Sequence, residues 1–231
     1  MRAIRGLIVW AFLFKIAFNI TGCAGIGSQP NPDSLAPREA IPEPTQTERS
    51  SESTADAPIS TTEPEEGLWS KLQQAETHYF VLMRHALAPG TGDPSNFQLE
   101  DCTTQRNLSE AGRTQARLTG EAFMRRGVSV DRVLSSQWCR CLETADLMEV
   151  GPVEPFPPLN SFFRDRSTSA AQTEQVREFM LDSQDTPGVT VMVTHFVNVS
   201  AVAETNLSSG EMVVMHVNEQ NQFEVLGQLN L

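Results

Sequence analysis

Positive charge is scarce in this sequence. Seventeen Lys and Arg stand against 29 Asp and Glu, a formal net charge of -12 over 231 residues. A chain with that balance lacks the field for non-specific nucleic-acid binding, so no nucleic-acid partner is expected. An anionic ligand would have to bind through a local cluster of arginines. Cysteine is scarce too, with Cys23, Cys102, Cys139 and Cys141 only. No second cysteine pair and no histidine pair falls at metal-ligand spacing, so neither a metal nor another cofactor is expected. Long hydrophobic runs are also missing. The apolar stretch at 6–20 is short for a membrane-spanning helix, and Lys15 interrupts it.

That stretch is better explained as a targeting segment. Arg2 and Arg5 form a positive start, the apolar run follows, and Ile20-Thr21-Gly22-Cys23 places small residues before a cysteine. This order fits a bacterial lipoprotein signal over residues 1–22. Cys23 is then the lipidated first residue, and its acyl chains tether the protein to a membrane without spanning it. The expected location is the bacterial cell envelope, on the periplasmic or outer side of a membrane. Residues 24–66 hold nine acidic and two basic side chains among Pro, Ser, Thr and Gln. They have too little apolar surface to offset chain entropy, which predicts a disordered acidic spacer over 23–66. The folded domain is predicted at 67–231. Export permits a disulfide, and Cys102 can pair with Cys139 or Cys141, leaving one thiol over.

From Trp69 onward strands and helices alternate. Tyr79–Met83 is a buried-type strand. Leu108–Arg126 reads as a helix capped by Ser109, stopped by Gly127, with Ala111, Leu118 and Ala122 sharing one face. Val130–Leu134 is a second strand and Gln137–Met148 a second helix. Gly151–Pro158 is proline-rich and predicts a loop. Ala170–Leu181 is a third helix, Val189–Val193 a third strand and Asn198–Thr205 a short helix. Met212–Val217 and Phe223–Leu229 close the domain as strands. The alternation predicts an α/β fold with a sheet covered on both faces.

In such folds ligands sit beyond the carboxyl ends of the strands. The first strand there ends in Arg84-His85, the second in Ser135-Ser136 shortly before Arg140, and the third in Thr194-His195. A neutral imidazole is a competent nucleophile toward phosphorus. Arginines offer forked donors to the equatorial oxygens of a transferring phosphoryl group. His85 is therefore the expected nucleophile, with Arg84, Arg140 and His195 holding the phosphate. Arg164 and Arg166 flank Asp165 and could bind a second anionic group. Arg106 and Asn107 precede the first helix of the set and favour a structural role. Trp138 and Phe163 are expected in the core or the pocket wall.

These motifs resemble the histidine phosphatase (phosphoglycerate mutase-like) superfamily. The resemblance rests on LMRHA at 82–86, RNLSEAGRTQA at 106–116, SSQWCRCLETA at 135–145 and VTH at 193–195, and spans about residues 77–229. It implies a three-layer α/β/α sandwich with a mostly parallel central sheet, and metal-free catalysis through a phosphohistidine on His85. Two departures stand out. Ala86 replaces the family's usual glycine, so a methyl could narrow the approach to phosphate. The general acid is also missing from its usual places, since Phe196 follows His195. Asp165 is the first candidate by position, with Asp101 and neighbouring Glu100 as alternatives. The absent acid resembles the small phosphohistidine phosphatases and the Ais-like envelope phosphatases. The expected partner is a phosphorylated small molecule or an envelope sugar phosphate. The competing expectation is a non-catalytic module that binds a phosphorylated ligand on the same fold.

Overall fold

A computed structural model describes residues 64–231. The expected targeting segment, Cys23 and the expected spacer up to residue 63 lie outside the described residues.

The chain builds α1 (Glu65–Gln74), β1 (His78–Arg84), α2 (Glu110–Arg125), β2 (Arg132–Ser135), α3 (Cys139–Met148) and β3 (Val153–Pro155). It continues through α4 (Ser169–Ser183), β4 (Gly188–Thr194), α5 (Phe196–Ala203), β5 (Met212–Val217) and β6 (Phe223–Leu229). The sheet order is β3-β2-β4-β1-β5-β6. The first four of these are parallel; β5 runs against both β1 and β6. The two central strands, β1 and β4, are nearly all buried. This explains why both read as continuous apolar runs instead of alternating ones.

One face of the sheet, with Val81, Met83, Val191 and Val193, packs on Leu68, Trp69 and Leu72 of α1, Phe123 of α2 and Ala145 and Met148 of α3. The other, with Phe80, Leu82, Leu134 and Met192, packs on Val176 and Met180 of α4 and Val199 and Val202 of α5. The architecture is the three-layer α/β/α sandwich with a mostly parallel sheet.

Several details differ from expectation. Helix α1 begins at Glu65, inside the predicted spacer. Glu65 and Glu66 match the spacer's acidity, yet in a first helical turn they complement the helix dipole. The 151–158 segment contains an edge strand and a 3₁₀ turn (Pro157–Leu159), since Pro155 can sit at a sheet edge without losing a ladder bond. The buried face of α2 is also not the one that Ala111, Leu118 and Ala122 share. Ala111 and Leu118 face solvent, whereas Gly112, Ala116, Thr119, Gly120, Ala122 and Phe123 are buried. Small residues are needed there because neighbouring backbone comes very close. A Cβ on Gly120 would stand 1.8 Å from the Met148 carbonyl oxygen, and one on Gly112 would stand 2.1 Å from that of Leu87. Hydrophobic patterning cannot see a face built for such close approach.

Candidate active site

The tips of β1, β2 and β4 converge on a cavity of about 200 Å³, with His85, His195, Arg84 and Arg140 in its wall. Each arrives for a local reason. Arg84 is the last residue of β1, and the His85 N–H donates to the Thr194 carbonyl at 2.9 Å, which locks the β1 tip to β4. Arg140 sits in the first turn of α3, and His195 caps the start of α5. Phe196 and Val197 open α5 in the cavity wall, so the positive end of that helix lies at the cavity.

The hydrogen bonds decide which ring nitrogens carry protons. His85 Nδ1 lies 2.8 Å from the Ala86 carbonyl oxygen, which can only accept, so Nδ1 holds the proton. Nε2 keeps its lone pair, 3.3 Å from Arg140 Nε. On His195, Arg140 Nη2 faces Nδ1 at 3.4 Å and has only protons to offer. His195 therefore carries its proton on Nε2 and donates to Ser136 Oγ at 2.8 Å. Ser136 in turn donates to Asn160 Oδ1 at 3.3 Å. Ser136 thus orients His195, and Ser135 Oγ fixes the turn through the Ser136 carbonyl.

Burial lowers the His85 pKa to about 3; the nearby arginines reinforce this and the bond to Ala86 O opposes it. Burial and the charge on Arg140 likewise push His195 well below its ordinary value. Both rings are neutral across the physiological range, so the lone pair on His85 Nε2 carries no proton. This links stability to pH. In the unfolded chain both rings take up protons near pH 6.5, while in the folded protein they resist. Their contribution is complete above about pH 6.5 and is lost as pH falls toward about 3. The melting temperature is expected to fall through that window, and less steeply in His195→Asn. An identical slope in that variant would refute the linkage.

Asp93 is the residue that sequence reasoning missed. Its carboxylate takes Arg140 Nη1 at 2.7 Å and Nη2 at 3.2 Å, with both side chains almost fully buried. Trp138 Nε1 and the Arg106 N–H complete the cage at 3.2 and 3.1 Å. Burial pushes the carboxyl up, but these donors outweigh it and hold Asp93 below the usual carboxylate range. The guanidinium of Arg140 thus has two working edges. Asp93 grips the Nη1/Nη2 edge, and the Nε/Nη2 edge faces both imidazoles, where a phosphoryl group would sit. Gly92-Asp93-Pro94 lies in a loop outside every helix and strand, with no periodic signal, which hid this role.

The candidate acids do not reach the cavity. Asp165 is exposed and caps the 3₁₀ turn Arg166–Thr168 by accepting from the Ser167 N–H. Asp101 caps the turn Cys102–Thr104 in the same way. Short-range Asx capping has captured both side chains, and Glu100 is exposed outside the cavity. Arg164 is at the rim, where its Nη2 donates to the Asp93 and Pro94 carbonyls. Arg106 lines the cavity and also ties Gly92 and Ala88 to it through their carbonyls. Trp138 and Phe163 are both wall residues. The Ala86 methyl does not narrow the site. It is buried among Ala88, Leu108 and Ala116, and the Ala86 N–H is engaged by Thr144 Oγ1.

Cys102 and Cys139 form a disulfide that ties the loop bearing Asp93 and Arg106 to the start of α3. Cys141 stays a thiol, and burial raises its pKa to about 12, which leaves it inert beside His195. Among the described residues no group of three or more His, Cys, Asp or Glu is placed to hold a metal ion.

Over residues 80–161 the chain matches the Histidine phosphatase superfamily (branch 1), a span that contains Arg84, His85, Asp93 and Arg140. Among curated proteins it is similar to the mitochondrial serine/threonine-protein phosphatase Pgam5 of Drosophila ananassae. The two are 26% identical over 168 residues, covering 60% of this chain and 55% of the relative. The Pgam5 of Drosophila virilis is 25% identical, over 51% of this chain and 46% of its own. The chain spans about half the length of the curated relatives it matches. Among solved structures, the protein histidine phosphatase SixA with tungstate superposes at a TM-score of 0.50 and 14% identity, covering 66% of this chain and 96% of its own. A phosphoserine phosphatase of Entamoeba histolytica with 3-phosphoglyceric acid reaches 0.51 at 12% identity, covering 67% and 98%. At these identities the structural likeness is one of fold.

Proposed function

We propose that this protein hydrolyses phosphomonoesters through a phosphohistidine on His85. The observation that carries this is the unprotonated Nε2 of His85 lying against Arg140 Nε. In the first step Nε2 attacks phosphorus, the N–P bond forms and the bond to the leaving oxygen breaks. The positive charge that develops on the ring is stabilised by the Nδ1–H bond to Ala86 O. Arg84, Arg140, Arg106 and the start of α5 neutralise the phosphoryl oxygens. In the second step water attacks phosphorus, the electron pair returns to Nε2 and inorganic phosphate leaves. The substrate is a phosphorylated small molecule. With Asp93 held ionised, no carboxyl in the cavity supplies a proton to the leaving group, which favours esters with good leaving groups. The test is to trap a labelled enzyme with a ³²P-ester. The label should be acid-labile and map to His85. Turnover with no such label would overturn the covalent route, and vanadate binding with no turnover would favour the binding-module alternative.

The protein is further proposed to be exported and held at a membrane by lipid on Cys23. Arg2, Arg5, the short apolar run and Gly22-Cys23 support this, as does a disulfide, which persists in oxidising compartments. Cys23→Ser is expected to move the protein from the membrane to the soluble fraction of a bacterial host. An unchanged distribution would count against lipidation.

A further inference from the structure

At about 200 Å³ the cavity has room beyond a phosphoryl group, and its outer wall is unlike its floor. Arginines and histidines form the floor. At the mouth stand Phe163 and Phe196, which line the cavity yet are 50% and 42% exposed. Such large rings contribute nothing to the core, and water-facing aromatics beside a nucleophile mark a place for an apolar ligand. Phe196 is fixed by its position directly after His195, and its ring centroid lies 5.6 Å from Arg84 Cζ. Phe163 stands beside Gly92, where even a Cβ would lie 4.0 Å from its Cε1, so the ring is not crowded on that side. Deeper in, Phe97 and Trp138 stack at 5.0 Å, and Trp138 meets His195 edge-on at 5.3 Å. An apolar wall therefore runs from the rim to the reacting centre.

We propose that Phe163 and Phe196 form a leaving-group subsite for flat aromatic rings, so that the preferred substrates are aryl phosphates. This rests on the phosphatase reading above and adds the substrate class to it. Two independent features agree. The mouth presents two exposed ring faces to a flat leaving group, and Nη2 of Arg164 at the rim already donates to the Asp93 and Pro94 carbonyls. The ionised Asp93 cannot protonate a leaving oxygen, and an aryl oxide departs without that proton. The bond that breaks is P–O(aryl), and its electron pair leaves on the phenolic oxygen.

The experiment compares phenyl phosphate with 2-naphthyl phosphate, whose leaving groups are of similar acidity but differ by one ring. The full-length protein is expected to favour the naphthyl ester in kcat/KM by about tenfold, the scale of burying one more ring face. In Phe163→Ala/Phe196→Ala that preference should collapse to near unity. Equal kcat/KM for the two esters in the unaltered protein, or a preference that survives the double substitution, overturns the subsite. A second measurement needs no variant: phenylphosphonate should inhibit at least about tenfold more tightly than methylphosphonate, and equal inhibition overturns the proposal. Failure of the underlying phosphatase reading looks different. In that case neither ester releases phosphate in a His85-dependent way, and the subsite falls with it.

Discussion

Replacing His85 with alanine is expected to abolish phosphate release, by about 10⁴- to 10⁶-fold, the range seen when a covalent nucleophile is removed. The argument rests on geometry. Nε2 of His85 is the unprotonated ring nitrogen that Arg140 Nε addresses, whereas Nδ1 is spent on Ala86 O. No neighbouring group can replace it. The Cys141 thiol is buried and stays protonated, with its pKa raised to about 12. Ser136 Oγ is tied to His195 and Asn160. His195 is turned so that its proton points at Ser136 and its lone pair at Arg140. Stability should fall only modestly, because the alanine removes a neutral ring and leaves one carbonyl, Ala86 O, without that partner. Circular dichroism would separate loss of chemistry from loss of fold. Retention of more than a small fraction of turnover in a folded His85→Ala protein would dismiss the nucleophile assignment.

Arg140→Met is the second large effect, and it acts on both stability and turnover. All five N–H groups of Arg140 have directed partners: His85 Nε2, the two Asp93 oxygens, the Arg106 carbonyl and His195 Nδ1. Methionine keeps the stem but leaves the Asp93 carboxylate buried without its counter-charge. Breaking one side of a buried pair costs about 3–5 kcal/mol. Turnover should fall by on the order of 10²–10³-fold for the lost transition-state donor. The two losses can be separated. Adding Asp93→Asn to Arg140→Met removes the stranded charge, so the urea midpoint should recover much of its value while turnover stays low. Recovery of turnover together with stability would mean that Arg140 is a structural residue only.

The features that were legible in the sequence are those with a periodic or end-of-strand signature. The continuous apolar runs of β1 and β4 announced buried parallel strands, and Arg84, His85 and His195 stood out by ending those runs. Ser109 announced the start of α2, where it does accept from the Gly112 N–H. The illegible features depend on how distant segments meet. Asp93 lies in a loop with no pattern, and its role appears only where its carboxylate meets Arg140 of α3. The choice between Cys139 and Cys141 is a matter of helix phase. Two residues apart on α3 they point in nearly opposite directions, so one reaches Cys102 and the other the core. Asp165 and Asp101 misled because a carboxylate in a loop looks the same whether it faces a substrate or caps the next turn.

The strand order has a consequence for how this protein comes into being. Arg84 lies opposite Thr194, and Ser135 opposite Val193, so β4 is the strand that β1 and β2 share. The neighbours of His85 in space are made long after it in the chain. Pairing of that kind closes large loops before it is rewarded, which makes for slow, all-or-none assembly. A nascent or half-folded chain thus holds a histidine and an arginine with nothing to organise them. The chemistry is absent until β4 has docked between β1 and β2.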